Sequence, residues 1–182
     1  MYTLAAKGAL LPPTLLEHGF AHEILSLLLV IVGAMGRVWA GLYLGGRKDA
    51  ALMREGPYSL CRHPLYFFSA LGVLGIAIQS HRLLIVPAVA LFFLLVYPQT
   101  MRAEERKLAQ KFGEAFLRYR ESTPAFFPRF SLYRGAREVT VYPRQALKVL
   151  LNVPSWILAW YLLGGIEKLQ LTGRLTPLLN LP

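Results

Sequence analysis

A tyrosine, an arginine and a histidine stand close together in Gly56 to Tyr66, which reads GPYSLCRHPLY. Two adjacent glutamates follow in Arg102 to Leu108, which reads RAEERKL. Phenol, guanidinium, imidazole and carboxylate groups can bind polar ligands or transfer protons. Such chemistry requires that the chain brings these two polar segments to one place.

Two apolar segments separate the polar ones. They are Leu65 to Ile78 and Leu83 to Tyr97, joined by only four residues: Gln79, Ser80, His81 and Arg82. Each segment is short for a membrane span, but two apolar segments with so short a polar link are typical of a helical hairpin. If both cross a membrane, the chain returns to the side it left, so both polar segments are predicted at one membrane surface.

The composition favours a membrane protein. The 182 residues are 55% hydrophobic and 16% charged, whereas a soluble domain has about 45–50% apolar and about 25% charged residues. The single cysteine, Cys61, excludes an intramolecular disulfide, and no metal-site spacing is found. We predict one domain over residues 1–182 with no metal site.

The basic residues indicate orientation in a membrane. There are 20 Lys and Arg against 10 Asp and Glu, but they cluster beside apolar segments and do not follow one exposed face, so nucleic-acid binding is not favoured. The loop Arg47 to Arg62 and the region 102–144 are rich in Lys and Arg, and the opposite side is poor in them. The positive-inside rule therefore places both polar segments in the cytoplasm and the N-terminus outside.

These patterns predict an all-α integral membrane bundle of about four transmembrane helices with a cytoplasmic amphipathic helix. Residues 1–22 form an interfacial or loosely packed arm, 24–44 the first span, and 147–164 the last. Apolar residues at helical spacing predict that the amphipathic helix covers 101–122 and continues from the third span. Pro124 and Pro128 suggest an ordered lid that packs back on the bundle.

Arg37 is the only charge inside the first span. A guanidinium at membrane depth is costly unless it snorkels or finds a partner, so Arg37 should face the bundle or the site. A structural ion pair and a role in holding an anionic group both remain open. Small residues at Gly33, Gly36, Ala40 and Gly41 allow a neighbouring helix to approach closely.

Together, GPYSLCRHPLY, the glycines Gly72 and Gly75, RAEERKL and FGEAFLRYR resemble the isoprenylcysteine carboxyl methyltransferase and phospholipid methyltransferase superfamily of small membrane enzymes. The resemblance covers about residues 33–128. It implies that S-adenosylmethionine binds in a cytosol-facing pocket while a lipophilic or lipid-linked substrate enters from the bilayer. No Gly-x-Gly-x-x-Gly motif of the soluble methyltransferase fold is present.

The resemblance also implies cofactor-binding residues. They are Tyr58, His63, Pro64, Leu65, Tyr66 and Glu104, with Leu52 and Met53 in a neighbouring loop. S-adenosylmethionine carries an ammonium, a carboxylate and an adenine, so Glu104 is expected to pair with the ammonium, and His63 or Arg62 to donate to the carboxylate. Tyr58 and Tyr66 are expected to pack on adenine or bond to its edge.

Methyl transfer is an in-line displacement that depends on alignment and exclusion of water. We expect Arg62, His63 and Glu105 to be catalytic, with Glu105 or His63 as base for an amine acceptor. In the eukaryotic prenylcysteine enzymes an arginine before the glutamates contacts the substrate carboxylate. The aligned residue here is Thr100, and Arg102 is nearby on another helical face, so these two residues are the candidate substrate contacts.

Several alternatives stay open at the level of the sequence. Carboxyl O-methylation and phospholipid-type N-methylation are both compatible with the motifs, and a nicotinamide-dependent membrane reductase or a non-catalytic scaffold are alternatives of other classes. His63 could cap the next helix, the glutamates could form a solvated ion-pair face, and Tyr66 could be an interfacial aromatic.

Overall fold

A computed structural model describes residues 19–45, 51–80 and 84–171, in which helices dominate and no strand occurs. The helices are α1 (Gly19–Leu44), α2 (Pro57–Leu60), α3 (Pro64–Gln79), α4 (Ile85–Phe112), α5 (Glu114–Ser122) and α6 (Pro143–Leu171), with a 3₁₀ turn at Phe130–Leu132. The all-α prediction is confirmed. Residues 1–18 of the expected N-terminal arm, basic residues 47 and 48, and link residues 81 and 82 lie outside the described residues.

Among the described residues, three helices are long and apolar enough to cross a membrane: Ala21–Leu44, Ile85–Phe112 and Ala146–Ile166. The fourth expected span, α3, has 16 residues and is about 24 Å long, less than the roughly 30 Å hydrocarbon core. It packs chiefly against α1, whereas α4 has no buried residue. The four apolar helices therefore form a bundle in which α3 is the short inner member.

Glycines let α1 and α3 approach closely. A Cβ added at Gly33 would lie 2.5 Å from the backbone nitrogen of Gly72, and one at Gly75 would lie 2.6 Å from the carbonyl oxygen of Ser26. Neither position tolerates a side chain without displacing backbone atoms. Gly33, one of the small residues noted in the sequence, thus allows close backbone contact between the two helices.

Hydrogen bonds between polar side chains connect α1, α3 and α6 at the end of the bundle where α1 begins and α3 ends. Ser26 Oγ of α1 donates to Gln79 Oε1 of α3 at 2.8 Å, and Trp160 Nε1 of α6 donates to Ser26 Oγ at 3.0 Å. Ser26 and Gln79 are buried. Bonds of this kind satisfy polar groups that lipid cannot satisfy.

The cytoplasmic helix predicted for 101–122 is two helices. α4 runs without interruption from the apolar segment to Phe112, and Pro98 lies inside this helix. The chain then turns at Gly113, whose φ of 51° suits glycine. This turn redirects α5, whose Phe116 and Tyr119 are buried.

Candidate functional site

The GPYSLCRHPLY segment forms a buried one-turn helix followed by the start of α3. Prolines occupy the first turn of both helices, at Pro57 in α2 and Pro64 in α3, where the missing N–H costs nothing. His63 occupies the N-cap position of α3, but its side chain makes no capping bond. The imidazole, 5% exposed as a residue, is instead directed towards the glutamates of α4.

Backbone hydrogen bonds to the chain after α5 hold the GPYSLCRHPLY segment in place. The N–H groups of Arg62 and His63 donate to the carbonyl oxygens of Pro124 and Ala125 at 2.8 and 3.0 Å. Further along, the N–H of Gly56 donates to the carbonyl oxygen of Arg134 at 2.7 Å. The proline-rich stretch therefore packs back on the bundle, as expected, and fixes the position of the site residues.

His63 lies between the two glutamates. Its Nδ1 is 3.5 Å from Glu104 Oε2, and its Nε2 is 3.1 Å from Glu105 Oε1. Tyr66 donates to Glu104 Oε1 at 2.7 Å. Consecutive helical residues point about 100° apart, and the two carboxylates accordingly reach opposite sides of one ring, so they are not a simple solvated ion-pair face.

Arg62 is bonded to the protein on two sides of its guanidinium. Nε donates to Glu105 Oε1 at 2.8 Å, while one terminal nitrogen donates to the carbonyl oxygens of Arg120 and Thr123. The Arg62 side chain therefore ties the start of α3 to α4 and to the end of α5. Both donors expected for a ligand carboxylate, Arg62 and His63, therefore already contact groups of the protein.

A cavity of about 720 Å³ opens beside these residues, a size within the range of about 300–1,000 Å³ that is common for small-ligand sites. All eight sequence-predicted cofactor residues line it, together with Arg62: Leu52, Met53, Tyr58, His63, Pro64, Leu65, Tyr66 and Glu104. Glu105 lies behind His63 and is not among the lining residues described. Arg102 and Thr100 are exposed on α4 and do not line this cavity either.

The Tyr58 hydroxyl is buried in the cavity wall. Tyr58 is 7% exposed, and within the described parts of the chain its oxygen has no hydrogen-bond partner. Burial, with a smaller contribution from Glu104, raises the pKa of this phenol, so it remains a neutral donor. Because an unsatisfied buried hydroxyl is unfavourable, the position suits a ligand with a polar edge.

Sequence reasoning missed Tyr97 and Ser69, which also line the cavity. The ring centroids of Tyr97 and Tyr66 lie 4.9 Å apart in an edge-on arrangement. Tyr97 precedes Glu104 by seven residues, so the two share a helical face. That spacing could have identified Tyr97, but the helix was expected to change character near residue 101, between them.

Arg37 faces the interior of the bundle, as predicted. It donates a hydrogen bond to Ser69 Oγ, and its guanidinium carbon lies 5.5 Å from the centroid of the Trp156 ring. It lines the 720 Å³ cavity and a second one between the helices.

The structure is thus an apolar helical bundle of the membrane-protein kind, with a cavity lined by polar and aromatic residues at one end. The sequence model of the phospholipid methyltransferase family matches residues 21–115, which include both motif segments. The chain belongs to this family, within the superfamily that its motifs resemble. α6 lies beyond the matched residues.

Two relatives carry names from metal resistance. The chain is 48% identical over 118 residues to the cobalt-zinc-cadmium resistance protein CzcN of Cupriavidus metallidurans, covering 65% of this chain and 54% of that protein. It is 41% identical over 113 residues to the nickel-cobalt-cadmium resistance protein NccN of Alcaligenes xylosoxydans xylosoxydans, covering 62% and 53%. The matches thus span about half the length of these relatives.

No solved structure matches the chain significantly. In the part of the chain that the structure describes, no group of three or more His, Cys, Asp or Glu residues could hold a metal ion.

Proposed function

We propose that the protein is an S-adenosylmethionine-dependent methyltransferase that modifies a lipophilic or lipid-linked acceptor at the cytoplasmic face of a membrane. One observation carries the proposal: a single cavity collects all eight residues that the motifs assign to the cofactor. These residues come from separate segments of the chain, and the α3–α4 hairpin supports their meeting at one end of the bundle.

The lining chemistry fits the cofactor. Glu104 offers a carboxylate to the ammonium, His63 a donor to the carboxylate, and the unpartnered Tyr58 hydroxyl a polar group to the adenine edge. Tyr66 adds an aromatic face, and the apolar walls come from Leu52, Met53, Pro64 and Leu65. When bound, S-adenosylmethionine supplies an activated methyl group on its sulfonium.

The remaining polar residues hold the site in place. Glu105 accepts a hydrogen bond from Arg62 and faces His63 Nε2, so we assign Arg62 and Glu105 to positioning and not to contact with the reacting atoms. Of the two groups expected as base for an amine acceptor, His63 lines the cavity and Glu105 does not. In that reaction His63 would accept a proton in place of donating to the cofactor carboxylate. A carboxylate acceptor needs no base, and alignment with exclusion of water suffices.

Thr100 and Arg102 receive no role in this proposal, because both side chains are exposed on α4 away from the cavity. Carboxyl O-methylation of the eukaryotic prenylcysteine kind, which uses an arginine at the position of Thr100, is therefore less well supported than methylation of another amphiphile. Phospholipid-type N-methylation is the alternative acceptor chemistry, supported by the family to which the chain belongs.

The test is product identification. Purified protein is incubated with methyl-labelled S-adenosylmethionine and a lipid extract from cells grown with and without cadmium, a condition suggested by the names of the relatives. Mass spectrometry should find label in a lipid-soluble product, and Glu104→Gln should abolish it. Glu114→Gln, at an exposed glutamate of α5, is the matched control and should retain activity.

Absence of label with correctly folded protein would contradict the enzyme proposal. Tight binding of a nicotinamide dinucleotide, with none of S-adenosylhomocysteine, would favour the reductase alternative. Cofactor binding that survives both Glu104→Gln and His63→Ala would favour a non-catalytic scaffold.

A further inference from the structure

A second cavity of about 410 Å³ lies between α1, α3 and α6. Apolar and small residues form most of its wall, including Ala34, Gly41, Val149 and Val153. It shares Arg37, Leu44 and Leu65 with the cofactor cavity, so the two spaces adjoin at these three residues. A ligand in the second cavity would therefore end next to the proposed methyl donor.

One wall of the second cavity comes from a helix outside the family match. α6 supplies Val149, Asn152, Val153 and Trp156, whereas the match ends at residue 115. The wall is fixed to the bundle, since Trp156 meets Gly72 of α3 and Val149 meets Gly41 of α1, where an added Cβ would lie 2.9 Å from Val149 Cγ1. A helix beyond the residues matched by the family model thus shapes the space beside the site.

Arg37 places a positive charge where the cavities adjoin. Its contacts are the Ser69 hydroxyl and the Trp156 ring, and none of the ion pairs seen among the described residues involves it. A guanidinium inside a spanning helix is favoured by an anionic partner, and its planar donors suit a phosphate or a carboxylate. A ligand whose anionic group bonds to Arg37 and whose apolar body lies against α6 would match both the charged part and the apolar part of this cavity.

We infer that the second cavity binds the methyl acceptor, that the acceptor is an anionic amphiphile, and that α6 determines which apolar chain is accepted. This inference rests on the proposed methyl transfer for its connection to catalysis. The binding site itself is independent of that reaction and can be tested without turnover.

The experiment uses a brominated dodecyl phosphate, whose bromine quenches tryptophan fluorescence on contact, with the full-length protein in a neutral maltoside detergent. Trp156 lines the cavity, so wild-type protein should show saturable quenching. Brominated dodecanol, with the same chain and no charge, serves as the probe of the apolar wall alone.

Two variants test the charge of Arg37 and the apolar wall of α6 separately. Arg37→Gln should weaken binding of the phosphate about tenfold, the loss expected for a hydrogen-bonded charge, and leave binding of the alcohol unchanged. Val153→Phe narrows the cavity and should weaken binding of both probes about tenfold. Leu158→Phe, at an exposed α6 position outside both cavities, should change neither.

S-adenosylhomocysteine binding is measured on the same variants, and Val153→Phe should leave it within about twofold of wild type, since no contact with the cofactor cavity is removed. Equal binding of the phosphate by wild type and Arg37→Gln would contradict the role of Arg37 in binding the anionic group. The same role would be contradicted if Arg37→Gln lost S-adenosylhomocysteine binding but bound the phosphate normally. Unchanged binding of both probes in Val153→Phe would overturn the role of α6. If the probes behave as expected but no lipid is methylated, the proposed function fails while the binding site stands.

Discussion

His63 contacts both glutamates of the candidate site. The sequence identified it and its two glutamate neighbours, but it could not assign the glutamates, since both precede Leu108 at helical spacing. The structure separates them: Glu104 lines the cavity and bonds to Tyr66, while Glu105 lies behind the imidazole and bonds to Arg62. That division depends on how α4 is rotated against α3, which no local pattern specifies.

The division predicts different outcomes for two similar substitutions. Glu104→Gln should weaken S-adenosylhomocysteine binding about tenfold or more, because the ligand ammonium loses a charged partner. Glu105→Gln should leave that affinity within about threefold and instead lower the free energy of unfolding by about 1–3 kcal/mol, because Arg62 loses a partly buried, charged partner. Isothermal titration gives the affinities, and denaturant or thermal unfolding gives the stabilities. The reverse pattern would show that Glu105 is the cofactor ligand.

The burial of Cys61 predicts how slowly its thiol reacts up to pH 9.0. Burial raises the pKa of its thiol from 9.0 to about 12, against smaller lowering effects from the His63 backbone and Arg62. The neutral thiol is therefore favoured in the folded protein, and at pH 9.0, where half of exposed thiols are ionised, Cys61 should remain protonated. A maleimide should label the folded protein very slowly between neutral pH and pH 9.0 and label the unfolded protein quickly. Rapid labelling of folded protein would contradict the burial.

At the scale of elements, two apolar segments with a short polar link predicted the α3–α4 hairpin and its return of the chain to one surface, and hydrophobic periodicity predicted the amphipathic helix after it. It did not predict the end of α4, because the apolar stripe continues through Phe112, Ala115 and Phe116 as if the helix were unbroken. The break at Gly113 is stabilised by tertiary contacts of α5, in which the Tyr119 hydroxyl donates to the carbonyl oxygen of Tyr58 at 2.6 Å. A contact between residues so distant in sequence cannot be found from local spacing.

The contact between α1 and α3 predicts a strong difference between two glycine substitutions. Gly33→Ala would place a methyl group against the Gly72 backbone, where nothing can move aside without separating the helices. We expect a loss of about 1–3 kcal/mol in the free energy of unfolding and weaker S-adenosylhomocysteine binding, since α3 begins with Pro64 and Tyr66 of the cavity.

The matched control is Gly165→Ala in α6, where an added Cβ meets no atom within 4 Å. Alanine has the higher helix propensity, so this variant should be neutral or slightly more stable. Thermal unfolding in detergent compares the two. Equal stability of both variants would contradict the close packing of α1 on α3.

At the scale of the molecule, composition predicted a helical membrane protein, and motifs predicted where one cavity would form. The second cavity could not be predicted, because it needs the packing of α6 against Arg37 and Gly41, residues far away in the sequence. The 720 Å³ cavity thus takes many of its lining residues from two short segments, whereas the adjoining space depends on the assembled bundle. The same separation explains why the motif residues alone do not name the acceptor.

Orientation is the property of the whole molecule that the basic residues predict most directly. The α4–α5 end should face the cytoplasm and the α3–α4 connection the opposite side. Two single substitutions report these ends: Glu114→Cys, whose side chain is 86% exposed, and Leu84→Cys, which is 52% exposed. Cys61 is buried and should give little background. In cells with an intact cytoplasmic membrane, a membrane-impermeant maleimide should label Leu84→Cys and not Glu114→Cys.

Permeabilising the membrane should make Glu114→Cys reactive as well, which shows that its protection came from the bilayer and not from the fold. Labelling of Glu114→Cys in intact cells would reverse the orientation. The cavity would then face away from the cytoplasm, and since S-adenosylmethionine is a charged, polar molecule that does not cross the hydrocarbon core unaided, the proposed reaction would lose its source of methyl groups. Orientation therefore tests the cofactor assignment by a route that requires neither an acceptor nor a purified enzyme.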